Sequence, residues 1–141
     1  EYEPTNNRSQ FKRTEKNDLI VDAYNANPTS MKAALDFFSS IPSSLSKMVI
    51  LGEMKELGES SDEEHGKMLQ CLRKQSFDKV YLVGDIFNKD VNKVIAEKNT
   101  FRLFGDVDEL IETLKKEPVS HHYILLKGSH SVHLEKAIDY L

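Results

Sequence analysis

Five short apolar runs, each followed by a stretch of helical periodicity, constrain this chain more than any single residue does. The runs lie at residues 19–21, 48–51, 80–83, 101–104 and 123–126. After them the i, i+3, i+4, i+7 template is filled by Met31, Ala34, Leu35 and Phe38, and by His65, Met68, Leu69 and Leu72. Val107, Leu110, Ile111 and Leu114 fill it again, as do Leu134, Ala137, Ile138 and Leu141, while Val91, Val94 and Ile95 give a shorter version. Strands that alternate with helices form a mostly parallel sheet, because each parallel crossover needs a helix to bring the chain back. The expected fold is an α/β, three-layer Rossmann-like sheet of about five parallel strands with about five helices spread over both faces. A further strand, roughly residues 9–14, is expected to pair antiparallel at one edge through the turn Glu15-Lys16-Asn17. Ser61 with Glu64, and Asp106 with Glu109, have the spacing of capping boxes at helix starts.

At 141 residues and 39% hydrophobic, the chain suffices for a single domain, residues 1–141, with its own core. Nineteen basic residues against 23 acidic ones give a net charge of −4, and no basic run stands out, which argues against a nucleic-acid partner. Apolar stretches stop at about four or five residues, far short of the ~20 that a membrane span requires. The one cysteine, Cys71, leaves no internal disulfide and fits a reducing cytoplasm. The chain opens Glu1-Tyr2-Glu3-Pro4 without an initiator methionine and reads as a piece excised from a longer protein.

Three polar segments follow apolar runs and are expected on one edge of the sheet. Asp22-Ala23-Tyr24-Asn25-Ala26-Asn27-Pro28 lies between the first run and the first helix. Asn27 as N-cap, Pro28 as first helical residue and Asp22 as turn former account for three of its positions. Tyr24 and Asn25 then have no structural purpose, and two amides with a carboxylate suit hydroxyl and amide recognition. Leu51-Gly52-Glu53-Met54-Lys55-Glu56-Leu57-Gly58 follows the second run, and reads either as a ligand-facing loop or as a solvated acidic one. Lys127-Gly128-Ser129-His130-Ser131 precedes the last helical stretch, where helix amides, Lys127 and two hydroxyls would cradle an anion. The plainer alternative is that Ser131 caps that helix and Gly128 permits the turn. Ligands of open α/β sheets sit beyond the carboxyl ends of strands, where all three segments fall.

Other chemistry is poorly supported. None of the six glycines forms a phosphate-binding or dinucleotide-binding loop. His121 and His122 begin the last strand while His130 and His133 lie beyond it, roughly 20 Å away, so the pairs cannot share a metal. His65, on the apolar side of its helix, reads as a satisfied, half-buried histidine.

The three segments stand in the order and spacing of one family. Asp22 to Met31, the Leu-Gly-Glu-Met-Lys-Glu-Leu-Gly run ending at Gly58, and Leu-Lys-Gly-Ser-His-Ser131 with Leu134-Glu135 resemble the C-terminal domain of Mur ligases, over essentially the whole chain. The first segment resembles the branch that takes D-alanyl-D-alanine. Two positions depart from the family's pattern: Glu53 stands where aspartate is usual, and His130 where arginine is usual.

The resemblance implies an ATP-dependent peptide ligase of peptidoglycan precursor synthesis. ATP phosphorylates the carboxylate of a UDP-N-acetylmuramoyl-tripeptide, and the amine of D-alanyl-D-alanine attacks the acyl phosphate. ATP and Mg²⁺ would be held mainly by a central domain, with an N-terminal domain for the UDP substrate, both in the same longer chain. This domain would close over them, with no catalytic or metal-binding residue of its own, and would be inactive alone. On that resemblance Arg8, Asp22, Tyr24, Asn25 and Asn27 face the nucleotide, while Glu53, Lys127, Ser129 and His130 serve the dipeptide. The competing reading is a free-standing flavodoxin-like or receiver-like binding module. Asp22 would be its phosphoacceptor, but the acidic pair beside it is missing.

Overall fold

Side-chain alternation with period two decides the layering of this protein, whose computed structural model describes residues 9–22 and 26–141. In β3 (Ser46–Gly52), Val49 and Leu51 enter one core while Met48 and Ile50 enter the other. In β4 (Lys79–Val83), Val80 and Leu82 part from Tyr81 and Val83 in the same way. In β6 (His122–Lys127), Leu125 parts from Ile124 and Leu126. Strands buried on both faces read as unbroken apolar runs, and these three do.

With β1 (Ser9–Arg13), β2 (Asp18–Asp22) and β5 (Phe101–Phe104), these strands form a six-stranded sheet in the order β1-β2-β6-β3-β4-β5. β1 pairs antiparallel with β2, and the other four pairings are parallel. The helices α1 (Pro28–Ser40), α2 (Ser61–Arg73) and α3 (Asp90–Ala96) cover one face. The opposite face is covered by α4 (Val107–Lys116) and a 3-10 segment, Leu134–Tyr140. Parallel crossovers share one hand, so the direction of travel across the sheet sets the face of the connecting helix. The chain moves one way from β2 to β5 and back only from β5 to β6, which sends α4 alone of the four helices to the second face.

The expected architecture is present, with three local corrections. The last stretch is 3-10 over 134–140 rather than α-helical, so the described residues hold four α-helices and not five. In the two-turn α3, Val91 and Val94 are 57% and 66% exposed, whereas Asn92 and Ala96 are buried. Asn92 sets that orientation, since its Nδ2 donates to the Ile86 carbonyl at 3.2 Å. Finally, Ser61 is the first residue of α2 and not its cap; Ser60 holds the cap position without a side-chain bond. Asp106 does cap α4, accepting from the Glu109 amide at 2.9 Å, while the Glu109 carboxylate accepts from the Gly105 amide at 3.0 Å.

Asn17 fastens the end of the sheet opposite the polar loops. Its Nδ2 donates to the carbonyls of Val119 (2.9 Å) and Leu141 (2.6 Å), and its Oδ1 accepts from the His122 amide (3.0 Å). All three partners are backbone groups of buried residues; on Asn17→Leu the Leu141 carbonyl keeps its bond from Thr14 Oγ1 at 2.9 Å, while the Val119 carbonyl and the His122 amide lose the bonds that Asn17 makes. At ~1 kcal/mol per lost bond, the variant should lose about 2–3 kcal/mol in urea unfolding at unchanged m-value. A loss below ~1 kcal/mol would show that this clamp carries no weight.

Candidate functional site

The three polar segments meet because β6 lies between β2 and β3, so all three leave neighbouring strand ends. This is also where the strand order reverses and successive connections part to opposite faces, the position at which open α/β sheets bind ligands. Asp22 and Leu51 are both register partners of Lys127. Just beyond, the backbones of Gly52 and Gly128 touch: a β-carbon on Gly128 would lie 2.6 Å from the Gly52 Cα. Only glycine fits there. The Ser129 amide donates to the Glu53 carbonyl at 3.1 Å, and the Glu53 amide to the Val83 carbonyl at 3.0 Å. The second and third loops are thereby stitched together.

A cleft of about 280 Å³ opens over the ends of β2 and β6, lined by Asp22, Lys127, Ser129, His130 and Glu135 among others. Its floor is an ion pair, Lys127 Nζ to Asp22 Oδ1 at 3.1 Å, with the lysine side chain 1% exposed and the aspartate 13%. Ser129 is buried at the wall, its Oγ 3.4 Å from that of Ser131. His130 is exposed at the rim, its ring set edge-on to His133 at 5.7 Å. His133 has left-handed backbone (φ 60°) and sits 3.2 Å from the Glu135 carboxylate. A second cleft of about 250 Å³ is lined by Glu53, Lys55, Gly84, Gly105, Ser131 and His133. There Glu53 pairs with Lys55 at 3.2 Å and lies over Gly84, whose φ of +139° and lack of space exclude any side chain.

Among the residues expected to face a nucleotide, Asp22 therefore ends β2 at the floor of the first cleft. Asn27 is exposed and caps α1, its Oδ1 accepting from the Ser30 amide at 2.9 Å while its own amide donates to Ser30 Oγ at 3.0 Å. Arg8, Tyr24 and Asn25 lie outside the described residues. Of those expected at the dipeptide, Ser129 and His130 line the first cleft, Glu53 lines the second, and Lys127 lies beneath the surface of the first. The expected helix N-terminus after Gly128 is absent. His130–Val132 is a single 3-10 turn, and Ser131 makes no capping bond. Such a turn is too short to align peptide dipoles, so any anion at this loop meets side chains and loop amides instead. No group of three or more His, Cys, Asp or Glu able to hold a metal ion occurs among the described residues. No described helix is long and apolar enough to cross a membrane.

His65 is a supporting residue rather than a site residue. It is fully buried, not half-buried, and the Met54 amide donates to its Nε2 at 2.9 Å. The proton is therefore on Nδ1, which donates to the Ser61 carbonyl at 2.7 Å. Burial pushes its pKa below the usual histidine value and keeps the ring neutral. This bond anchors the loop next to Glu53, and no periodicity in the sequence announces it.

Parallel strands that reverse order at β6, with three polar loops at that reversal, define a doubly wound α/β domain. The chain belongs to the Mur ligases: the family profile described as "Mur ligase, glutamate ligase domain" matches residues 7–130. It is 35% identical over 136 residues to the UDP-N-acetylmuramoyl-tripeptide–D-alanyl-D-alanine ligase of Rickettsia prowazekii (strain Madrid E), a match covering 96% of this chain and 30% of that protein. The ligase of the same name from Treponema pallidum (strain Nichols) is 36% identical over 120 residues, covering 84% of this chain and 26% of that one. A crystal structure of MurF from Acinetobacter baumannii superposes with a TM-score of 0.79 at 26% identity, over 97% of this chain and 30% of that chain. The chain spans about 30% of the length of the Rickettsia relative.

Because folded His65 binds fewer protons than unfolded His65, stability is lost as pH falls through the unfolded value of ~6.5. The drop in melting temperature from pH 7.5 to 5.5 should be larger for the parent than for His65→Gln, whose amide oxygen still accepts from Met54. Equal drops would mean that His65 does not titrate on unfolding.

Proposed function

We propose that this chain is the C-terminal domain of an ATP-dependent ligase that joins D-alanyl-D-alanine to a UDP-N-acetylmuramoyl-tripeptide. The reading rests on family membership, together with one observation: the three polar loops occupy the adjoining ends of β2, β6 and β3. In this reading residues 1–141 are one domain of a longer cytoplasmic enzyme, whose central and N-terminal domains hold ATP, Mg²⁺ and the UDP substrate. Asp22, Tyr24 and Asn25, with Arg8, face the nucleotide, and the Asn27 cap fixes where that loop ends. Ser129 and His130 face the dipeptide carboxylate across the first cleft, and Glu53 lies on the adjoining loop. ATP converts the tripeptide carboxylate to an acyl phosphate, the dipeptide amine attacks its carbonyl carbon, and phosphate leaves. What this domain adds is placement of the dipeptide and, on closing, exclusion of water from a hydrolysable acyl phosphate.

The test is phosphate release by the full-length protein. Release should require ATP, UDP-N-acetylmuramoyl-tripeptide and D-alanyl-D-alanine together, and the 141-residue domain alone should release none above the buffer rate. Dipeptide-independent release by the full-length protein, or turnover by the domain alone, would overturn the assignment.

A further inference from the structure

We infer that Lys127 is a positioning residue that ties the nucleotide loop to the dipeptide loop through Asp22, an inference resting on the ligase reading above. Lys127 ends β6 and leads into Gly128–Ser131, whereas Asp22 ends β2 and leads into residues 23–27. They are register partners, and their ion pair spans 3.1 Å with the lysine side chain 1% exposed. A ligand entering the cleft meets Ser129 and His130 at its walls and rim, while the ammonium lies beneath them. Lys127 thus reaches the chemistry through the backbone it holds.

Stability alone does not explain such a pair. Desolvating two charges offsets most of their attraction, and apolar residues of similar volume often serve a fold equally well. What the pair supplies is a fixed relation between two loops. Lateral freedom is already limited on the other flank by the Gly52–Gly128 contact and by the Ser129–Glu53 hydrogen bond. With Asp22 held from β6, the end of β2 joins that unit. Nucleotide bound by the first loop then presents the third loop to the dipeptide, and the coupling is reciprocal, as thermodynamic linkage requires.

Steady-state kinetics of the full-length ligase separate the possibilities. Lys127→Met should raise the KM for ATP about ten-fold or more, with the dipeptide KM rising as well. Lys127→Arg, which keeps the charge, should recover most of the ATP effect. A rise confined to the dipeptide KM would make Lys127 a direct ligand and overturn the inference. A lowered melting temperature with both KM values unchanged would make the pair purely structural and overturn it equally. If Lys127→Met does not fold, Lys127→Gln, which removes the charge but keeps a polar end, decides. A several-fold rise in its ATP KM supports the inference, and a parental ATP KM with a raised dipeptide KM rejects it. Absence of dipeptide-dependent turnover in the parent would instead reject the ligase reading itself.

Discussion

Strand β6 carries hydrogen bonds on both sides, to β2 and to β3, and the arrangement of the functional edge follows from it. Its apolar residues are shared between the two cores, so a slip of one position would turn Leu125 out of its core and Ile124 and Leu126 into the wrong one. That penalty locks the register. The locked register in turn places Asp22 and Leu51 on either side of Lys127, and so brings three loops from distant parts of the sequence to one place.

Most of this frame is legible in the sequence, for a physical reason. Strands buried on both faces must be continuously apolar, and helices lying on a sheet must be apolar every third or fourth residue, so β3, β4, β6, α1, α2 and α4 leave plain patterns. Where burial is shallow the pattern misleads. Val91 and Val94 fill a helical template yet face solvent, because the two turns of α3 dock through Asn92. The segment 134–140 keeps an apolar face, but its backbone winds in the tighter 3-10 form, which side-chain spacing does not distinguish over two turns.

The candidate site is less legible, since contacts across strands leave no periodic trace. The loops could be placed on one edge from their positions after strands. The burial of Lys127, its pairing with Asp22 and the support of Met54 by His65 depend on which strands adjoin, and strand order is not written in spacing. The Asn27 cap was readable because Asn-Pro at a helix start has a local chemistry. Gly52 and Gly128 could be seen as turn formers. Their mutual contact requires knowing that β3 and β6 are neighbours.

Of the six described strands, the one that completes the sheet is also the last in the sequence. While residues 53–121 emerge, β2 and β3 have no common neighbour, and the gap between them is two strand spacings, or ~9.6 Å. At roughly 5–20 residues per second, a nascent chain takes on the order of 4–15 seconds to pass from the end of β3 to the end of β6. Until β6 arrives, the edges of β2 and β3 that it pairs with lack that partner. The face later covered by α4 and the C-terminal segment stays largely bare for much of that interval, with Met48, Ile50, Tyr81 and Val83 exposed. For this domain the hazard of misassembly lies in the order of synthesis: its middle arrives last.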